Sequence, residues 1–144
     1  MESINKSVVV SYTAEQMYDL VNDVESYPVF LSWCSSAIVH QNDTHCMKAS
    51  VSLAVGSVNQ TFTTENTLQP GRRIDVRLLN GPFKKLQGFW SFAPAGDNLC
   101  KVSFQMNFEY KNLLVKLALN KVFQRIGDTM VASFVDRAKQ IYGE

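Results

Sequence analysis

Lys101–Tyr142 reads KVSFQMNFEYKNLLVKLALNKVFQRIGDTMVASFVDRAKQIY, and two hydrophobic periods meet inside it. Val102, Phe104, Met106, Phe108 and Tyr110 alternate with Lys101, Ser103, Gln105, Asn107 and Glu109, the period-two pattern of a strand with one face on a core and the other in water. After Asn112, a residue suited to capping a helix, Leu119, Phe123, Ile126, Met130, Phe134, Ala138 and Ile141 recur at gaps of three and four. A helix of about 30 residues rises roughly 45 Å, enough to cross a whole small sheet. Lys111, Lys116, Lys121, Arg125, Arg137 and Lys139 fall mostly off its apolar stripe.

Working back from this pair, the same two periods organise the rest of the chain. Ile4, Val8, Val10 and Tyr12 share one parity and predict a first strand. Thr13 followed by Gln16 has the form of a capping box, and Met17, Leu20, Val21 and Val24 follow at helical spacing. A second short helix or turn is expected near Glu25–Leu31, because Pro28 is tolerated only near a helix start. From about Ser36 the period is again two. Met47, Ala49, Val51, Leu53 and Val55 share a face, as do Phe62 and Leu68, then Ile74, Val76 and Leu78, then Leu86, Trp90 and Phe92. Pro70-Gly71 and Ala95-Gly96-Asp97-Asn98 read as turns between them. The order strand, two short helices, about six antiparallel strands and a long helix predicts an α+β two-layer fold, read as one domain over residues 1–144.

A chain of 144 residues with 46% hydrophobic and 19% charged residues has the composition of a globular domain. No apolar run approaches the roughly 20 residues of a membrane-spanning helix, and the first residues alternate where a signal peptide is solidly apolar, so a cytoplasmic protein is expected. Cys34, Cys46 and Cys100 are odd in number and far apart, which predicts reduced thiols and neither a disulfide framework nor a metal site. Net charge is +1, yet residues 1–70 carry two lysines against seven acids, net −5, and residues 71–144 twelve basic residues against six acids, net +6. Surface charge of this kind serves solubility first and can also attract RNA, a ribosome or an anionic membrane.

The sequence marks of nucleotide, phosphate, zinc-protease and serine-hydrolase chemistry are absent. His40 and His45 flank a turn at Asn42-Asp43-Thr44, and Glu65, Asp75 and Glu109 take the parity opposite the apolar residues of their strands. No residue is therefore assigned a catalytic role, and no cofactor is required. What stands out is apolar. Tyr27, Phe30 and Trp33 cluster after the first helix, Phe83, Phe89 and Trp90 surround a Gly-Pro turn, and Phe104, Met106, Phe123, Met130 and Phe134 lie on inward parities. Each suits a core as well as a ligand pocket, since flat rings and flexible methionines bury much area.

Three segments in order resemble a known family. Ser11–Cys34, SYTAEQMYDLVNDVESYPVFLSWC, Leu79–Phe92, LNGPFKKLQGFWSF, and Phe104–Tyr142 with its FEYKNLL, VF, MV, SF and RAKQIY elements are similar to the coenzyme Q-binding START-domain family of polyketide cyclase/lipid transport-like proteins. Within it the resemblance is to the bacterial ribosome association toxin A group. Ser32 departs from the pattern, which has Pro after Phe30-Leu31.

The resemblance implies a helix-grip fold, a curved seven-stranded sheet wrapped on the C-terminal helix, and an internal cavity. It implies non-catalytic binding of a ubiquinone-like isoprenoid lipid in support of respiration. Tyr27, Phe30, Trp33, Phe83 and Trp90 would then border the entrance, and Phe104, Met106, Phe123, Met130 and Phe134 would line the interior around the lipid tail. Its alternative implication is binding to the large ribosomal subunit to block subunit joining, through basic residues including Lys84, Lys85, Lys121 and Arg125. A cavity enzyme of cyclase or dehydrase type is the minor alternative, transient contact with the inner membrane surface is a further expectation, and no DNA partner is expected.

Overall fold

In the computed structural model, which describes residues 2–143, seven strands form one sheet in the order β1-β7-β6-β5-β4-β3-β2, every neighbouring pair antiparallel. Met1 and Glu144, the ends of the expected 1–144 domain, lie outside the described residues. The strands are β1 (Glu2–Val10), β2 (Cys34–Asn42), β3 (Cys46–Val55), β4 (Val58–Gln69), β5 (Arg73–Asn80), β6 (Phe83–Gly96) and β7 (Leu99–Tyr110). Between β1 and β2 come α1 (Ala14–Asn22), a 3₁₀ turn (Val24–Ser26) and α2 (Tyr27–Phe30), and the chain ends in α3 (Leu113–Tyr142). This is the helix-grip arrangement expected from the resemblance.

Each boundary has a local cause. Thr13 Oγ1 accepts from the Gln16 amide at 3.1 Å while Gln16 Oε1 accepts from the Thr13 amide at 2.9 Å, a complete capping box that starts α1. Asn112 Oδ1 accepts from the Val115 amide at 3.0 Å and starts α3. Pro28 sits in the first turn of α2, where its missing N–H breaks no helical bond. Strand alternation follows the sequence closely, with Val102, Phe104, Met106, Phe108 and Tyr110 all buried along β7.

Three expectations shift. β6 runs on through Ala95 and Gly96, so the turn into β7 is only Asp97-Asn98, with Asn98 at φ 54° in the left-handed region that asparagine tolerates. Tyr12 lies beyond the end of β1 yet is buried, donating its hydroxyl to the Gly143 carbonyl at 2.5 Å. Ile141 was expected on the buried stripe of α3 but is half exposed, because the last turn lies beside α1, where the Tyr142 hydroxyl donates to the Gln16 carbonyl; Gly127, against Ile4 of β1, and Val131 are buried instead.

Candidate functional site

Between the sheet and α3 lies a cavity of about 150 Å³, the size of an engineered void that admits one benzene ring. Six strands contribute to its wall, all but β2, and α3 closes it. Its lining is almost wholly apolar because the inward parity of each strand is apolar.

Eight of the ten residues proposed from sequence line this space. Phe104 and Met106 reach it from β7, Trp90 from β6, Phe123, Met130 and Phe134 from α3, and Tyr27 and Trp33 from the segment before β2. Trp90, expected at the entrance, is instead an interior wall with 5% of its surface exposed. Phe30 and Phe83 do not line the cavity. Phe30 packs behind it, its ring 5.2 Å from that of Phe134, under the Arg137 guanidinium. Phe83 forms a second layer against Phe62, Phe108 and Phe123 at ring distances of 5.6, 5.7 and 4.9 Å.

The mouth is set by Trp33 and Ile126, which line both the cavity and a wider open cleft outside it. That cleft runs along α3 past Lys121, Val122 and Arg125 and is bounded opposite by Ser32, Ala54 and Val55. Lys84 and Lys85 stand elsewhere, in a groove at the β5–β6 hairpin shared with Lys111. The single basic side read from sequence is therefore two separate surfaces.

Sequence reading missed Thr64 and Asn66. They occupy inward positions on β4 between Phe62 and Leu68, so two polar residues interrupt an apolar parity, and that interruption was the available signal. Thr64 Oγ1 donates to Asn66 Oδ1 at 3.0 Å, which leaves the Asn66 amide nitrogen as a donor in an otherwise apolar wall. Asn66 is 8% exposed. Trp33 Nε1 is buried without a partner among the described residues. A buried unpaired donor such as Trp33 Nε1 costs about 1–3 kcal/mol, and Asn66 with its amide lines the same apolar cavity as Trp33.

The wall offers little else chemically. Among the described residues it carries no carboxylate, imidazole, ammonium or thiol. Its one titratable group, the Tyr27 hydroxyl, donates to the Val21 carbonyl, and burial pushes its pKa well above the ordinary tyrosine range. Burial also raises the thiols of Cys34 and Cys100, so neither is a thiolate at neutral pH. His40 and His45 are exposed, as expected, with His40 Nε2 2.7 Å from Ser50 Oγ. No group of His, Cys, Asp or Glu suited to a metal occurs among the described residues.

The sequence that folds into this long helix gripping a seven-stranded sheet matches, over residues 10–135, the family described as polyketide cyclase / dehydrase and lipid transport. The chain belongs to this family. A Vibrio cholerae relative named "Ribosome association toxin RatA" is 44% identical over 145 residues, covering all of both chains. "Coenzyme Q-binding protein COQ10 homolog B, mitochondrial" from Xenopus laevis is 28% identical over 143 residues, which span 96% of this chain and 59% of that protein. Among solved structures, a Streptomyces aromatase/cyclase superposes with a TM-score of 0.86 over 96% of this chain and 94% of its own, at 15% identity, a likeness of fold alone.

Proposed function

We propose that the protein binds a ubiquinone-like lipid without changing it chemically, and that the lipid enters ring first. The observation that carries this is the buried polar residue Asn66, set beside Thr64 in the otherwise apolar wall of a cavity with room for one ring. A quinone ring brings a carbonyl acceptor to the Asn66 amide, whereas an isoprenoid tail has none. Family membership and the coenzyme Q-binding name of a relative support the same ligand class. This revises the expectation that the tail fills the interior. The cavity is too small for a chain of several isoprene units, so the tail passes between Trp33 and Ile126 into the outer cleft. Its apolar area there contributes about 25 cal/mol per Å² removed from water.

Mass spectrometry of an organic extract of the natively expressed protein is expected to show a co-purified quinone, and repeated absence of any quinone or other lipid overturns the reading. Asn66→Leu should keep the fold and weaken quinone binding about tenfold, the equivalent of about 1.4 kcal/mol for one lost hydrogen bond to a buried acceptor.

A second reading rests on the ribosome association toxin names of relatives at 44% identity. On that reading Lys121 and Arg125, exposed on α3 and in no ion pair among the described residues, meet ribosomal RNA of the large subunit. Co-sedimentation with ribosomal subunits should then fall steeply as salt rises, and no association at low salt removes this reading.

A further inference from the structure

The first two turns of α3 carry a second apolar face, directed away from the cavity. Leu113, Leu114 and Leu117 are 69%, 78% and 73% exposed, while Leu119 on the opposite side is buried. Leu113 and Leu117 are one turn apart, and Lys121 continues their row another turn on. A row of bare leucines at a helix start contributes nothing to the core, and clustered exposed apolar surface marks an interaction site.

The surroundings of these leucines are basic. Lys111 immediately precedes the helix, its backbone amide 3.4 Å from the Pro82 carbonyl at the tip of the β5–β6 hairpin. Lys84 and Lys85 line the groove of that hairpin together with Lys111 and the half-exposed Leu79. None of Lys84, Lys85 or Lys111 is in an ion pair among the described residues. Of the acids nearby, Glu2 is engaged by Lys116 at 2.9 Å, and Glu109 lies opposite Lys85 in the strand register.

We infer that this corner of the molecule docks on an anionic membrane surface, the three leucines entering the interface while the lysines meet lipid phosphates. Protruding leucines fit acyl chains and gain nothing from an RNA backbone, so they set this corner apart from the ribosomal reading of Lys121 and Arg125. Apolar insertion combined with basic flanks is the physical signature of an interfacial helix, and each lysine near an anionic surface raises partitioning about fivefold. This inference is independent of quinone binding, since it concerns the outside of α3 and the hairpin.

Flotation of the full chain with quinone-free vesicles tests it. Binding is expected to vesicles containing phosphatidylglycerol, weakly or not at all to pure phosphatidylcholine, and to decrease with salt. Replacing Leu113, Leu114 and Leu117 together with Ser should lower partitioning more than tenfold. A second variant, K84Q/K85Q/K111Q, leaves the leucines in place and should lose most of the preference for anionic lipid. Equal flotation of wild type and the leucine variant overturns the proposal, as does equal binding to neutral vesicles. A wild-type chain that doubles its mass in lipid-free solution, with the doubling abolished by the leucine variant, also overturns it by assigning the face to a second copy.

Discussion

Tyr110 ends β7 with a hydroxyl that donates to Asn120 Oδ1 at 3.1 Å, tying the last strand to α3. Burial, with a smaller contribution from the charge of Glu2, pushes its pKa from 10.0 to about 12. The folded protein thus keeps a proton that the unfolded chain releases. Its contribution is present in full below pH 10 and is lost progressively as pH rises from 10 to 12. The thermal midpoint should fall across that window, and Tyr110→Phe should flatten part of the fall; an identical slope in the variant counts against the assignment. Some decline persists in the variant because the buried Tyr27 hydroxyl acts in the same direction. Such couplings were not legible in sequence, where Tyr110 is simply the last apolar position of a strand. Thr64 and Asn66 were half legible: their break in the parity of β4 was visible, but the bond between them and their place in the cavity wall needed the structure.

At the level of elements, α3 shows what a period can and cannot reveal. Its N-cap, length and most of its buried stripe follow from spacing, and the same holds for the capping box of α1. Gly127 is different. In mid-helix a glycine costs roughly 1 kcal/mol relative to alanine, with no local reason for its presence. The reason is tertiary: a Cβ at position 127 would lie 2.1 Å from Ile4 Cδ1, where the helix crosses β1. Ile4 also lines the cavity, so the methyl group of Gly127→Ala would drive that side chain into the binding space. The substitution should cost about 1–3 kcal/mol by overpacking and reduce quinone loading together with stability. Adding Ile4→Val should recover part of both losses, as read by thermal unfolding and by bound quinone. Failure of the second change to restore anything would place the strain elsewhere.

For the whole molecule, the two-layer architecture and strand succession were readable because each strand keeps one clean parity and each turn its own residues. The cavity was not. Whether facing apolar layers touch depends on how far the sheet curves from α3, which no single strand records, and only resemblance to a family supplied the space. The basic half of the sequence divides on folding into the β5–β6 hairpin with the start of α3, and the cleft beside Trp33, each with different neighbours and a different proposed partner.

The strand order also sets the sequence of events while the chain is being made. Glu2 pairs with Phe108 and Val10 with Cys100, so β1 waits about a hundred residues for its neighbour. The β2–β5 succession needs only short loops and can zip locally, whereas closing β1 against β7 is a long-range event of the kind that slows folding. The inward faces of β3 and β4, including Asn66, stand open to water until α3 emerges after them. A chain that has made its strands and not yet α3 therefore has a sheet without a lid, and the binding space comes into existence only once that helix is in place.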